Sequence, residues 1–244
     1  MKSLLSIGIA AILITLCSTF PLVAGTWVDD FEGNKLGPEW TIKDRPGNPS
    51  EFKVEKGALH ITCTQNFGHM ESTRPLALIE APEGDFSASG FFSSDPDKPT
   101  NAWHGIFVLG DDPMDFACLL FGGEAHQPQK TLIGSMVRGN WQDKGHFQTG
   151  FDVPFYLKLE KSGKQWKGYS RKSEKEDWAL IGNPWEHDFK PRWVGCGFIN
   201  NWGGKVVTLI VDTFVVEGPN VTSRAQAIYS SDKLATIWGG LKKP

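Results

Sequence analysis

The sequence predicts an all-β protein, a two-sheet antiparallel sandwich, and three observations carry that reading. The first is the stretch from Phe155 to Gly182, FYLKLEKSGKQWKGYSRKSEKEDWALIG. Phe155, Leu157 and Leu159 fall on one side of an extended chain. Tyr156, Lys158 and Glu160 fall on the other, and this period of two marks a half-buried strand. Ser162-Gly163 turns the chain, which returns through Trp166 and Tyr169. A charged turn over Ser173 to Asp177 then leads into Trp178-Ala-Leu-Ile181, which completes a β-meander rather than a βα nucleotide-binding unit. The second observation is a series of short apolar stretches separated by turn residues. The third is composition: 27 Gly, 15 Pro, 16 Phe and 10 Trp in 244 residues, a usage that favours strands and tight turns.

Read in chain order, residues 1–25 predict an export signal. Lys2 supplies the positive start, Leu4 to Leu16 an apolar run too short for a membrane span, and Val23-Ala-Gly25 small residues for cleavage. Cys17 follows Leu16, where a lipoprotein signal usually has a small residue. The mature chain is expected to be secreted or held in the cell envelope, with no transmembrane segment. Thr26 to Phe31 reads as a short strand and Asn34 to Glu39 as a loop. Phe52 to Ile61 reads as a hairpin turning at Lys56-Gly57, with Phe52, Val54, Leu59 and Ile61 inward. Further strands are expected at Leu76–Glu80, Asp85–Ser93, Trp103–Leu109, Phe116–Phe121, Thr131–Val137, Trp193–Ile199 and Val206–Val216. The last is apolar on both faces, which places it centrally in its sheet and makes Asp212 conspicuous. No linker divides residues 26–218, so they read as one domain. Residues 219–244 read as a C-terminal strap, weakly helical over Thr222 to Ala235 and carrying Trp238. They dock on the sandwich or form a sorting or partner-binding tail. Asn220-Val-Thr222 fits a glycosylation sequon.

The formal charge of −3 disfavours nucleic acid as a partner, because phosphate contact needs a basic field. Beyond the leader, Cys63, Cys118 and Cys196 form no C-x-x-C pair for metal or redox work. Cys63 shares a strand face with Leu59 and Ile61 and reads as a buried thiol. One disulfide among the three is compatible with an oxidising compartment, and the sequence does not choose the pair.

Several segments together resemble the concanavalin A-like lectin/glucanase superfamily, especially its laminin-G-like, secreted bacterial branch. The segments are Asp29 to Trp40, the Phe52–Ile61 hairpin, the Phe155–Gly182 meander and Val211-Asp-Thr-Phe-Val-Val-Glu217. The resemblance spans residues 26–218 and implies a jelly roll with one concave face. It does not imply one activity, because this superfold carries lectins, carbohydrate-binding modules, hydrolases and adhesion domains.

Catalytic signatures are missing. The superfamily's glucanases carry Glu-x-Asp-x-x-Glu on one strand, where a spacing of two places carboxylates on one face as nucleophile and acid. No such string occurs here. Glu80, Glu83 and Asp85 surround Pro82 and Gly84; Asp111, Asp112 and Asp115 flank Pro113; Glu174, Glu176 and Asp177 form a solvated tip. Each group reads as a turn. There is no Gly-x-Ser-x-Gly elbow, no His-Glu-x-x-His helix and no phosphate-binding loop. The six His do not pair at metal-ligand spacing, and His104 reads as a satisfied structural residue facing away from Trp103 and Phe107. No catalytic residue is assigned.

Binding is better supported. A sugar offers an apolar C–H face and hydroxyl edges, so its site needs a flat ring with amides or charged groups beside it. Three loop-like segments fit: Arg138-Gly-Asn-Trp-Gln-Asp143, Asn183-Pro-Trp-Glu-His-Asp188 and Asn200-Asn-Trp-Gly-Gly204. They nominate Trp141, Trp185, Trp202, Asn201 and Arg138 as ligand-binding residues, unless the indoles only cap the sandwich. Asp29 and Asp30 near the start, with Asp212 in the closing strand, nominate a structural calcium site, with hydrogen bonding to loop amides as the alternative. The expectation is a secreted, non-catalytic module binding carbohydrate or matrix glycan. A hydrolase or lyase on the same fold, or an adhesion domain without ligand, are the rivals.

Overall fold

The computed structural model describes residues 25–47, 49–150 and 152–221. Residues 1–24 of the export signal and residues 222–244 of the strap, with Thr222 of the sequon, lie outside them. The described chain contains no helix, so none is long and apolar enough to cross a membrane. Its strands, in order, are β1 (Gly25–Asp29), β2 (Thr41–Lys43), β3 (Glu51–Glu55), β4 (Ala58–Cys63), β5 (Leu76–Glu80), β6 (Phe86–Asp95), β7 (Ala102–Leu109) and β8 (Phe116–Gly123). They continue with β9 (Lys130–Val137), β10 (Asn140–Gln148), β11 (Phe155–Ser162), β12 (Gln165–Arg171), β13 (Ala179–Glu186), β14 (Trp193–Asn201) and β15 (Val207–Gly218). One antiparallel sheet runs β13-β12-β11-β6-β15-β4-β3, with β1 also on β15; the other runs β10-β9-β8-β7-β14-β5-β2.

Local chemistry explains the turns. Lys56 and Gly57 join β3 to β4 with φ of 55° and 74°, the left-handed pair that a two-residue hairpin requires. Arg138 and Gly139 join β9 to β10 in the same way. The predicted strands are found within a residue or two, and the alternation read along Phe155 to Glu160 is the burial alternation of β11. β15 is central, as expected. It pairs with β6 on one side, and with β4 and then β1 on the other. Two strands carry no apolar signal and were not expected: β2, only three residues long, and β10, whose polar sequence suits an edge.

The core fills the space between the sheets. Phe92, Phe121, Phe155, Trp166, Phe198 and Phe214 are its large buried members. Burial of each such side chain contributes about 1.5–3 kcal/mol. Polar ties cross the same space. Trp185 Nε1 on β13 donates to Ser135 Oγ on β9 at 2.8 Å, and His187 Nε2 pairs with Asp115 Oδ1 at 2.8 Å. A second apolar layer covers the outer face of the β7–β8–β9 sheet. There Trp103, Phe107, Phe116, Leu120 and Met136 are buried although no described sheet lies above them.

Two expectations change. Cys63, Cys118 and Cys196 are separate free thiols, all buried, so no disulfide joins them. Burial pushes each thiol pKa up, which keeps it protonated and inert. His104 does face opposite Trp103 and Phe107, but it is not satisfied. Its ring sits 4.3 Å from Phe121 and 5.0 Å from Phe198, and neither nitrogen has a hydrogen-bond partner.

Burial lowers the His104 pKa from 6.5 to about 3. Between those values the unfolded chain binds a proton that the folded chain refuses. The histidine's contribution to stability is therefore complete above pH 6.5 and is lost as pH falls toward 3, at about 1.4 kcal/mol per pH unit. His104→Leu removes this titration. Denaturant unfolding across pH should show the variant gaining about 2 kcal/mol on the wild type between pH 8 and pH 5. A difference that is flat with pH would overturn this account.

Candidate functional site

Among the described residues, the outer face of the second sheet is open at one end. The opening is a cleft of about 210 Å3 lined by Trp103, Leu132, Trp141, Ile199, Asn200 and Trp202, with His69, Glu124, Lys130, Asp143 and His146 around it. Two β-bulges build it. In β10 the register against β9 shifts between Asp143 and Gly145, so Lys144 is extra. Without that insertion, residues three apart would face opposite ways. With it, Asp143 and His146 both face outward, and His146 Nε2 meets Asp143 Oδ2 at 2.6 Å. The other Asp143 oxygen accepts the Gly145 N–H at 2.8 Å. The His146 ring stands edge-on to Trp103 at 5.1 Å. In β14 the second bulge, between Phe198 and Asn200, turns Ile199 and Asn200 toward the cleft. Asn200 Oδ1 then accepts the Trp103 N–H at 3.0 Å.

The third wall comes from an arch, residues 64–75, between β4 and β5. Phe67 pairs with Asn201 in a single bridge at one foot. At the other foot Arg74, only 2% exposed, lies 4.5 Å above the Phe116 ring. Its two Nη atoms donate to the carbonyl oxygens of Glu71, His69 and Pro113, which offsets part of the cost of burying the charge, while Nε has no partner. Glu71 also pairs with Arg45 and accepts the Gly68 N–H. Held this way, His69 makes ring contact with both indoles, 5.6 Å from Trp141 and 5.7 Å from Trp202. Burial, reinforced by the positive Arg74, lowers its pKa, so its ring is neutral at neutral pH.

Of the residues nominated from sequence, the structure brings Trp141 and Trp202 together here. Trp202 lies in the turn after β14 and is 43% exposed; Trp141 is half-buried within β10 rather than in a loop. The other three are elsewhere. Trp185 belongs to β13 and is 6% exposed between the sheets. Asn201 points inward, fully buried, and donates to Lys205 O at 2.8 Å. Arg138 is exposed at the tip of the β9–β10 hairpin and does not line the cleft. Sequence reasoning missed His69, Asp143, His146 and Asn200, and the one available signal was the bulge-forming Gly145 inside Asp143-Lys-Gly-His146.

The nominated calcium ligands, Asp29, Asp30 and Asp212, sit on or beside the paired strands β1 and β15. Asp29 accepts from Trp40 Nε1 at 2.7 Å and from the Phe31 N–H at 2.8 Å, at the edge of the core. Asp212 sits where β15 bulges against β6, within electrostatic reach of Tyr156. Asp30 follows β1. No group of three metal-ligating side chains occurs among the described residues. A larger groove of about 550 Å3 lies between β1, β2 and β5, lined by Trp27, Glu39, Ile79, Trp193 and Val221. Its lining also includes Thr41, Glu80 and Asn220.

No family model matches the sequence, and no curated protein matches it. Solved structures do match in fold. A β-glucanase from Bacillus licheniformis aligns over 80% of this chain and 98% of its own, at 11% identity and a TM-score of 0.56. The fold is concanavalin A-like. The CBM2 module of the evolved Dit of Lactobacillus casei BL23 phage J-1 aligns over 82% of this chain and 98% of its own, at 10% identity and a TM-score of 0.59. A xylan β-1,4-xylosidase from Bacillus halodurans C-125 aligns over 78% of this chain at 15% identity and a TM-score of 0.62, but over only 38% of its own length. The chain thus corresponds to less than two-fifths of that enzyme. In this concanavalin A-like sandwich, the cleft takes its shape from bulges and the arch.

Trp141 can lie flat because Gly134, beneath it on β9, has no side chain; a Cβ there would collide with the indole. Gly134→Ala should tilt Trp141 out of the cleft with little loss of stability, since the ring is at the surface. The expected result is a changed tryptophan emission spectrum with a melting temperature within a few degrees of wild type. An unchanged spectrum would contradict the packing described.

Proposed function

We propose that this protein is an exported, non-catalytic module that binds carbohydrate through the cleft around His69. The observation that carries this reading is the pair of indoles, Trp141 and Trp202, both in ring contact with His69 and lining one cleft with Asp143, His146 and Asn200. The rings offer flat faces for the C–H face of a sugar, and the carboxylate, imidazole and amide offer partners for its hydroxyls. Glu124 and Lys130 at the rim balance each other in charge, which suits a neutral glycan.

The fold relatives support a glycan-related role: two are named as glycan-degrading enzymes and one as a CBM2 module. Catalysis is the second reading, because Glu124 and Asp143 both line the cleft. Two points favour binding. The Glu-x-Asp-x-x-Glu strand pattern is missing, and Asp143 is already engaged by His146 and the Gly145 N–H. Export rests on the leader-like residues 1–25, and N-terminal sequencing of the mature protein tests it.

Glycan-array binding by the mature protein, with a parallel assay for reducing-sugar release, tests the function. Trp141→Ala and Trp202→Ala should each weaken retention about tenfold or more, since each removes a stacking face. Trp185→Ala should lower stability and spare affinity. Sugar release abolished by Asp143→Asn or Glu124→Gln would establish the enzyme reading instead. Retention unaffected by both cleft indoles would refute this site.

A further inference from the structure

The arch does more than supply one wall. The outer face of the second sheet is continuous from β10 across to β5, yet most of its floor is closed. Phe107, Phe116, Cys118, Leu120 and Leu78 are fully buried there. Arg74 seals part of that floor by lying on Phe116, and it reaches the β7–β8 turn through Pro113 O. Arg74 Nη2 also lies 3.7 Å from Met114 Sδ, so arch and turn meet above the sheet. A polymer lying across the sheet would have to displace this lid, leaving an uncompensated buried charge.

What stays open is one end of the face, backed by His69. Its volume of about 210 Å3 is below the roughly 300–1,000 Å3 of pockets that enclose drug-sized ligands. Such a space takes one sugar ring, not a run of them. Resting on the carbohydrate reading above, we propose that the cleft is a blind pocket that recognises the terminal residue of a neutral glycan chain and excludes internal residues. The terminal ring lies against Trp141 and Trp202 with its leading edge on His69, and the rest of the chain leaves past Glu124 and Lys130.

An end-reader and a chain-reader differ in how binding scales with chain length. Xylan, arabinan, mixed-linkage β-glucan, galactan and mannan are each titrated calorimetrically into the full-length mature protein, intact and after partial acid hydrolysis, at equal mass of sugar. For the polymer that binds, cutting the mean chain length about tenfold should raise the molar concentration of binding sites about tenfold at constant mass, with affinity per chain end unchanged. His69→Ala, which removes the end wall and leaves Arg74 in place, should weaken the fragments about tenfold. Site concentration that is insensitive to hydrolysis, or affinity that climbs with each added residue beyond two, would overturn end recognition and leave the carbohydrate reading standing. Failure of every intact polymer and every hydrolysate to bind would overturn both.

Discussion

The structure depends on one constraint: the central strands of the second sheet are apolar on both faces. β7 and β8 are buried at every position, but only one of their faces meets the other sheet. The other face must be covered by something, and the chain covers it with an arch anchored by a buried arginine. A guanidinium suits this task better than an apolar side chain. Its flat face lies on Phe116, while its edge ties together carbonyl groups that would otherwise be stranded above an apolar layer. The charge stays protonated: burial lowers the Arg74 pKa only to about 10.

From this covering follows the position of the cleft. The arch must leave β4 and enter β5, so it crosses one part of the face, and among the described residues the end beside Trp103, His146 and Asn200 is left open. The open end is where the two bulges concentrate polar groups. A bulge changes which residues face outward without any change in composition, and here it converts an edge strand and a central strand into the two polar walls of one site.

That explains which parts were readable from sequence. Strand positions were, because alternation and turn residues are local: β1, β3 to β9 and β11 to β15 were expected close to where they lie. The two-sheet sandwich followed from them. Trp141 and Trp202 were found because small and polar neighbours mark indoles near the surface. Trp185 has similar neighbours, Asn183-Pro-Trp185, yet a strand runs through them and its ring turns inward. Asn201 was chosen over Asn200 for want of the bulge, which reverses their facing. His69 could not be found at all. Its role depends on an arch that crosses the sheet, and nothing within ten residues of it records that path.

The pairing of β15 has a consequence for how the molecule is made. The first strand of the described chain, β1, can settle only against β15, the last, with Gly25 opposite Gly218. The long inner edge of β6 also waits for β15. Until that segment has left the ribosome, two halves of a sheet stand with unpaired edges and a wet interior, so assembly of this layer is delayed until nearly the whole chain is present. A nascent chain of this design is vulnerable to edge-to-edge association for most of its synthesis, and a truncation that removes β15 would leave three strands without the partner that joins them.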